Sequence, residues 1–271
     1  MSPVSGQNLK LGAVAALIVG VITSAVFLTM PEIDLWVASQ FGSETEKFPL
    51  RFHPVPRFFN DLVNILAAFM ALGSLAGLTL TARYGGPLLG LWARHYGYLL
   101  ATLAVGPGLI ANALLKENWG RARPRHLVEF GGDKNFSPPI VMSDQCSSNC
   151  SFVSGDASLA FFFLAVALIM PPKHRRLSVF LALLFGCLIG FMRIIQGAHF
   201  LSDVILAGVF VCLTALGLYW FMLKDWKAPS GAVSLGTRAG LRSATGRAGR
   251  ADKGRVWMLF RAKPQDLGVE D

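Results

Sequence analysis

Six apolar segments constrain what this chain can fold into. A transmembrane helix needs roughly 20 mostly apolar residues to cross the hydrocarbon core of a bilayer. The segments are Leu11–Met30, Phe59–Leu80, Gly97–Leu115, Phe152–Met170, Leu177–Ile195 and Asp203–Leu223. Only 15% of the residues are charged and 53% are hydrophobic, whereas soluble domains carry about 25% charged residues. We therefore predict an all-α fold, a polytopic membrane helix bundle with about six transmembrane helices.

Basic residues predict how these helices are oriented. The net charge is +9, and ten Lys or Arg lie between Lys224 and Lys263. Lys10 and the basic connections 81–96 and 171–176 fall on the same side of the membrane if all six segments span it. The positive-inside rule makes this side cytoplasmic, so the connections after the first, third and fifth helices face outwards.

The chain divides into a membrane domain, residues 1–228, and a basic tail, residues 229–271. The tail is rich in Gly, Ala, Ser, Thr and Arg, which cannot build a core, so we predict that it is disordered and cytoplasmic. Its apolar patch, Val256–Phe260, is either a membrane-surface anchor or a chance cluster in an unstructured tail. Nucleic-acid binding ranks behind both interpretations, and we predict no nucleic-acid partner.

Four basic residues directly follow the third apolar segment. They lie within ten residues on the side predicted to face outwards, against the charge rule, and are Lys116, Arg121, Arg123 and Arg125. Snorkelling at the membrane surface explains one or two such cations. A phosphate dianion explains them better, since arginine binds phosphate through paired hydrogen bonds and lysine adds a compact charge.

Two later segments place polar residues at the ends of apolar stretches. Ser154, Gly155 and Asp156 lie near the start of the fourth stretch, where such residues cap helices and where backbone N–H groups also bind anions. His199 precedes Asp203 by four residues, which puts both on one face if the stretch is helical. The carboxylate would then accept from one ring nitrogen and leave the other free to attack.

Together these segments resemble the three motifs of the type 2 phosphatidic acid phosphatase superfamily. In the first motif six residues separate Lys from Arg-Pro, and the second has Ser-Gly at its centre. In the third, five residues separate Arg from His and three separate His from Asp. The matching positions are Lys116, Arg123, Pro124, Ser154, Gly155, Arg193, His199 and Asp203. The resemblance covers residues 60–223.

This resemblance implies a phosphomonoesterase that needs no metal and no cofactor. His199 would attack phosphorus and form a covalent phosphohistidine, while Asp203 would orient the imidazole. Charge stabilisation and positioning carry most of phosphoryl transfer. The groups expected to hold the phosphoryl oxygens are Lys116, Arg123, Arg193, Ser154 and the N–H of Gly155.

The chain departs from the family pattern at Asp156 and Met192. The second motif usually has a histidine that protonates the leaving alkoxide, where this chain has Asp156. A carboxylate is ionised at neutral pH unless burial favours its protonated form. Asp156 is therefore either the general acid, which we favour, or an ionic partner of an arginine in segment 121–125. Met192 replaces a serine of the third motif and removes one hydrogen bond.

The predicted side of the membrane and the residues within the motifs narrow the range of possible substrates. The segments Lys116–Pro124 and Ser151–Ser158 are most similar to bacterial lipid A phosphatases, particularly the 4′-phosphatase group. The resemblance implies a multi-pass protein of the bacterial inner membrane that removes a phosphate from lipid A at the periplasmic face, with the 4′-phosphate favoured over the 1-phosphate. Phosphatidylglycerophosphate, phosphatidic acid and undecaprenyl pyrophosphate are alternative substrates. We predict a lipid phosphate as the binding partner and no obligate protein partner.

Two other classes of protein are alternatives to a phosphatase. A catalytically idle lipid-binding or transport protein fits the substitution at Asp156. A proton-coupled transporter that uses His199 and Asp203 would need polar residues along both halves of the bundle, whereas here they gather at one end. Phosphate release from a lipid distinguishes an enzyme from a binder.

Cys146 and Cys150 flank a short polar stretch in the long outward connection. In an oxidising compartment they could form a disulfide. A zinc site is the weaker interpretation, because no second cysteine pair or histidine lies at ligand spacing.

Overall fold

The computed structural model describes residues 3–227 of the chain. This part folds into eight α-helices joined by short 3₁₀ turns and irregular connections. In chain order the helices are α1 (Gly6–Thr29), α2 (Glu32–Ser39), α3 (Pro54–Tyr84), α4 (Ala93–Leu103), α5 (Gly155–Phe161), α6 (Phe163–Leu168), α7 (Pro172–Ile195) and α8 (Leu201–Met222). The predicted tail, residues 229–271, lies outside the described residues.

Five helices of the described part are long and apolar enough to cross a membrane. They are α1, α3, α4 with its continuation to Lys116, α7 and α8. The fourth predicted segment instead forms the short apolar helices α5 and α6, which meet at Phe162. The predicted polytopic helix bundle is confirmed, with five long helices and one short pair in place of six equal spans.

The third long helix changes its winding along its length. It is α-helical over Ala93–Leu103 and continues as wider π-helical turns over Ala104–Lys116. Pro107 lies in the π-helical part and has no N–H to donate, so regular α-helical bonding is interrupted there. The side-chain amide of Asn112 donates to the Pro107 carbonyl at 2.7 Å. The helix thereby continues to Lys116, one of the predicted phosphate-binding residues.

The periphery of the bundle is apolar and the interior contains α8. Leu17 on α1 is 53% exposed, Phe69 on α3 69% and Phe180 on α7 61%. Surface of this kind suits acyl chains rather than water. Half of the residues in the most apolar stretch of α8 are buried, compared with 17% of those in the corresponding stretch of α1. Helix α1 packs against α8. Because α8 is the most buried span, its N-terminal end is enclosed by other elements.

The three polar segments converge at that end of α8. The N–H of Ser154, just before α5, donates to the Asp203 carbonyl on α8 at 3.4 Å. The N–H of Cys150 donates to the Lys116 carbonyl, at the end of the π-helical stretch, at 3.0 Å. The end of α7 is joined to α8 by the turn that carries His199. Residues far apart in the sequence thus line one polar region.

Candidate active site

A tight turn between α7 and α8 directs His199 into the protein. Gly197 in this turn has φ +61°, in the left-handed region that favours glycine. A Cβ at this position would lie 2.4 Å from the ring of Phe48, so glycine also permits the close packing there. Ala198 then donates to the Arg193 carbonyl at 3.0 Å. The side chain of His199 is 1% exposed as a result.

The surroundings of His199 determine which of its ring nitrogens is free. Nδ1 lies 2.7 Å from the carbonyl oxygen of Ser151. Because a carbonyl can only accept, Nδ1 carries the hydrogen and Nε2 holds the lone pair. Asp203 Oδ2 lies 3.8 Å from Nδ1, too far for a hydrogen bond. The predicted direct bond between His199 and Asp203 is therefore wrong, and Ser151 is the immediate acceptor.

Ser151 connects the two predicted catalytic residues. Its hydroxyl donates to Asp203 Oδ2 at 2.6 Å, while its carbonyl accepts from His199. The N–H of Phe200 donates to the same carboxylate oxygen at 2.9 Å. These donors hold Asp203 beside the imidazole, where its negative charge stabilises positive charge on the ring.

The imidazole of His199 is held in its neutral form. Burial lowers the pKa of His199 below its ordinary value, and the charges of Arg123 and Arg193 lower it further. The nearby Asp203 carboxylate acts in the opposite direction without cancelling the effect of burial. A neutral imidazole with a free Nε2 is the form that can act as a nucleophile.

Arg121 is fully buried between two carboxylates. Its Nη1 donates to Asp203 Oδ1 at 2.6 Å, and its Nη2 donates to Asp34 Oδ2 at 2.8 Å. Its Nε donates to the Ser137 carbonyl at 2.8 Å, and its guanidinium lies 4.2 Å from the ring centroid of Phe200. Arg121 is thus a counter-ion within the protein, although the sequence grouped it with the basic residues that face a phosphate.

Asp34 on α2 completes this buried network. Its Oδ1 accepts from the N–H of Ser202 at 3.0 Å, and its Oδ2 accepts from the Ser202 hydroxyl. Burial raises the pKa of Asp34 above its ordinary value, with Arg121 opposing that shift. The network ties α2 to the start of α8, next to His199.

Arg123 is oriented by the loop that contains the two cysteines. Its Nε and Nη2 donate to the Asn149 carbonyl at 3.1 and 2.7 Å, and Nη2 also donates to Asn149 Oδ1 at 2.7 Å. A disulfide joins Cys146 to Cys150 and brackets Asn149, with a Cα–Cα distance of 5.6 Å. The disulfide alternative is therefore the one that the structure adopts. Burial lowers the pKa of Arg123 to about 10, so the side chain stays cationic at neutral pH.

Asp156 pairs with Arg193. The Asp156 Oδ2 lies 3.0 Å from Arg193 Nε, and Asn64 donates to Oδ1 at 3.4 Å. Arg193 Nη1 also donates to the side chain of Gln196 at 2.8 Å. The proposed pairing of Asp156 with an arginine of segment 121–125 is wrong, because the packing of α5 on α7 brings Arg193 to it instead.

The second motif combines helix capping with a close approach of Lys116. Ser154 is fully buried and caps α5, its hydroxyl accepting from the N–H of Ala157 at 3.4 Å. A Cβ at Gly155 would lie 2.7 Å from Lys116 Nζ. A side chain at this position would therefore displace the lysine ammonium from its place beside α5. Lys116 interacts electrostatically with Arg123 and Arg193, so the three predicted cations share one region.

Three residues of the site were missed by sequence reasoning. Asp34 had a usable signal, since an acidic residue between Ile33 and Leu35 at the edge of a membrane span is costly unless paired. Ser151 and Asn149 had none, because both act through contacts that depend on how the long connection folds.

Comparison with known proteins identifies the family. Residues 95–227 match the model of the PAP2 superfamily. Lipid A 4′-phosphatase from Francisella tularensis subsp. novicida (strain U112) is 34% identical over 207 residues, which cover 73% of this chain and 90% of that protein. The chain belongs to the PAP2 superfamily. Like its PAP2 relatives it is a membrane-embedded phosphoric monoester hydrolase, as the three motifs predicted.

Two further PAP2 proteins extend the comparison. Lipid A 4′-phosphatase from Rhizobium etli (strain ATCC 51251 / DSM 11541 / JCM 21823 / NBRC 15573 / CFN 42) is 33% identical over 213 residues, covering 71% of this chain and 82% of that protein. The crystal structure of a transmembrane PAP2 type phosphatidylglycerolphosphate phosphatase from Bacillus subtilis matches with a TM-score of 0.52 and 18% identity. That match covers 80% of this chain and 98% of the other, and it shows a shared fold.

Proposed function

We propose that this PAP2 enzyme removes a phosphate from lipid A at the periplasmic face of the bacterial inner membrane. The observation that carries the proposal is its similarity to two proteins named lipid A 4′-phosphatase, one of them matched over 90% of its length. We favour the 4′-phosphate over the 1-phosphate for the same reason. Lipid A with both phosphates carries two separate anionic groups. Phosphatidylglycerophosphate, phosphatidic acid and undecaprenyl pyrophosphate are the alternative substrates.

The proposed chemistry proceeds through a phosphohistidine. The lone pair of His199 Nε2 attacks phosphorus, forming a P–N bond as the bond from phosphorus to the lipid oxygen breaks. Nδ1 keeps its hydrogen and donates it to the Ser151 carbonyl, 2.7 Å away, and the Asp203 carboxylate stabilises the positive charge that develops on the ring. Water then attacks phosphorus as the P–N bond breaks, and its oxygen is retained in the inorganic phosphate that leaves. One proton of that water passes to the phosphate or to solvent, and the neutral imidazole is regenerated.

Three cations stabilise the transferring phosphoryl group in this proposal. Lys116, Arg123 and Arg193 lie around the nucleophile and meet the negative charge on the phosphoryl oxygens. Ser154 and the N–H of Gly155 lie beside Lys116 and complete the predicted cradle. Asn149 fixes two nitrogens of the Arg123 guanidinium, which reduces the freedom that phosphate binding would otherwise have to remove.

Asp156 has two candidate roles, and its contacts favour one of them. A general acid must hold a proton to give to the leaving alkoxide. The Asp156 carboxylate instead forms an ion pair with Arg193, with Oδ2 and Nε 3.0 Å apart. We therefore propose that Asp156 orients Arg193 and that water supplies the proton. This differs from the role favoured by sequence alone.

Lipid A analysis provides the direct test. The intact chain is expressed in a bacterium whose lipid A keeps both phosphates, and the extracted lipid is analysed by mass spectrometry with fragmentation. We expect loss of one phosphate, from the 4′ position, and no loss with His199→Ala at an equal level of membrane protein. Asp203→Asn should be slower without being inactive. Lipid A with both phosphates retained would exclude this substrate.

Purified protein separates an enzyme from a lipid-binding protein. The wild type should release phosphate from a short-chain lipid phosphate, whereas an idle binder would release none. The rate should persist in excess chelator, since three cationic side chains provide the charge that a divalent ion would otherwise supply. Strict dependence on added Mg²⁺ would contradict this chemistry.

The orientation in the membrane has its own test. Asn135, near Ser137 in the connection that bears the disulfide, is exposed. We expect Asn135→Cys to react with an impermeant thiol reagent added to whole cells with a permeable outer membrane. Ser234→Cys, in the predicted cytoplasmic tail, should react only after the inner membrane is disrupted. The reverse pattern would place the site on the cytoplasmic side.

A further inference from the structure

Two arginines besides the three cations of the phosphate site lie at its edge. Arg51 belongs to the 3₁₀ turn Pro49–Phe52 before α3, and Arg125 belongs to the 3₁₀ turn Pro124–His126. Both backbones are tied to the turn that leads to His199. The N–H of Arg125 donates to the Gly197 carbonyl at 3.1 Å, and the side chain of Gln196 donates to the Arg51 carbonyl at 3.4 Å. The pair is therefore held at a defined place next to the nucleophile.

These two side chains have no acidic partner in the part of the chain that the structure describes. Among residues 3–227, Arg193 is paired with Asp156 and Arg121 with two aspartates, but no carboxylate forms an ion pair with Arg51 or Arg125. The Nε of Arg125 donates instead to a ring nitrogen of His126 at 3.3 Å. The guanidinium of Arg51 lies 4.8 Å from the ring centroid of Phe52 and is exposed.

The two arginines also repel other cations. Burial lowers the pKa of Arg125 to about 9, and the next causes are the charges of Arg123, Arg51 and Arg193. The charge of Arg51 acts on Arg123 as well. Like charges gathered without a counter-ion raise the free energy of the site until an anion binds.

Arg51 and Arg125 add two positive charges to those of Lys116, Arg123 and Arg193, which are expected to hold the reacting phosphate. Among the described residues neither forms an ion pair with a carboxylate, so a second anionic group would be their counter-ion.

We propose that Arg51 and Arg125 form a second anion subsite, which binds another phosphate or carboxylate on the same lipid molecule. The half-buried Arg125 supplies one guanidinium, and the exposed Arg51 supplies a second one. Paired guanidinium–phosphate hydrogen bonds would fix the orientation of the lipid headgroup. The enzyme would accordingly prefer lipids with two separated anionic groups over monophosphates. This inference rests on the proposed lipid phosphatase function.

The test compares two substrates on the purified full chain in nonionic micelles. One is lipid A with both phosphates, and the other is lipid A with only the 4′-phosphate. We expect the wild type to have a kcat/KM at least about tenfold higher for the first, in line with hydrogen bonds to a charged group. Arg125→Gln and Arg51→Gln should each reduce that ratio, with most of the change in KM. Arg83→Gln is the control and should leave the ratio unchanged, because Arg83 is an exposed arginine in the last turn of α3, at the opposite end of that 31-residue helix from Arg51.

Further measurements separate the possible sources of the anion. Inhibition by inorganic phosphate should be the same in the wild type and in Arg51→Gln, because free phosphate acts at the reacting site. A wild type without preference, or a ratio unchanged in both variants, would overturn the proposal. If the ratio of kcat/KM is unchanged in the variants but added anionic phospholipid competes less well with the substrate, the arginines bind the headgroups of surrounding phospholipids instead, and the proposal is wrong. If neither lipid A form loses phosphate in the wild type, the proposed function itself fails. If Arg125→Gln does not fold, the exposed Arg51→Gln provides the same comparison.

Discussion

Replacing Arg121 with glutamine tests whether the buried ion network holds the active-site end of the bundle together. The side chain is fully buried, with one carboxylate at 2.6 Å and another at 2.8 Å. Arg121→Gln keeps much of the volume and removes the charge, so Asp34 and Asp203 remain buried without their counter-ion. Removing one partner of a buried ion pair costs about 3–5 kcal/mol of unfolding free energy.

The expected change is large enough to measure by thermal unfolding in a single detergent. In a protein of this size, each kcal/mol lowers Tm by about 2–4 °C, so Arg121→Gln should lower it by about 6–20 °C. Lys134→Gln is the control, because Lys134 pairs with Asp133 and their side chains are 44% and 79% exposed. Exposed pairs contribute about 0–1 kcal/mol, so this change should lower Tm by about 0–4 °C.

Asp34→Asn, in the same network, should lower the stability less than Arg121→Gln does. Burial raises the pKa of Asp34, so the fold already disfavours its ionised form. Asparagine at this position retains an oxygen acceptor, and the loss of stability should be smaller than that of Arg121→Gln. Equal Tm values for Arg121→Gln and Lys134→Gln would refute the assignment of Arg121 as a structural counter-ion.

Three further predictions concern individual contacts of the site. Asp156→Asn should slow hydrolysis of an alkyl phosphate and of an activated aryl phosphate by similar factors, because Arg193 loses its partner in both cases. A loss of rate confined to the alkyl phosphate would instead make Asp156 the general acid. The Cys146–Cys150 disulfide closes a short loop with a sequence separation of 4, so reducing it should lower the free energy of unfolding by only about 2 kcal/mol. Reduction should nevertheless lower kcat/KM, because Asn149 no longer holds Arg123. Full activity with both thiols shown to be free would contradict this. The pKa of His199 is lowered in the folded protein, so as the pH falls the unfolded chain takes up a proton at this residue before the folded protein does. The difference in Tm between the wild type and His199→Gln should therefore shift against the wild type as the pH drops below about 6.5. Parallel Tm curves for the two proteins would show that His199 keeps its ordinary pKa.

The membrane fold and most of the site residues could be predicted from local sequence. Long apolar segments must be helical, because lipid offers no hydrogen bonds to an open backbone. The residues that we propose to bind phosphate stand out because cations and polar groups at the end of an apolar span are costly unless a function requires them. Lys116, Arg123 and Arg193 were recognised for this reason, and the structure brings all three to the end of the bundle that holds His199.

Tertiary structure alone decided what neighbouring residues of the same type do. Arg121 and Arg123 are two positions apart, yet one is enclosed by Asp34 and Asp203 while the other is held by Asn149. Residue type could not separate them, although the motif resemblance selected Arg123 alone for the phosphate. The difference depends on α2 packing against α8 and on a disulfide loop folding over the end of the π-helical stretch.

The partner of each catalytic side chain was likewise a question of packing. The four-residue spacing of His199 and Asp203 correctly placed them close together, but the connection before α5 inserts the Ser151 carbonyl at the ring nitrogen. Asp156 meets Arg193 because α5 packs on α7. Sequence therefore determined which groups gather at this end of the bundle. Lipid disfavours charged residue types inside the spans, and a phosphate favours cationic ones at their ends, so both effects can be read from residue type. Tertiary structure determined which of them are bonded to each other, since hydrogen bonds and ion pairs depend on distances between segments that are remote in the chain.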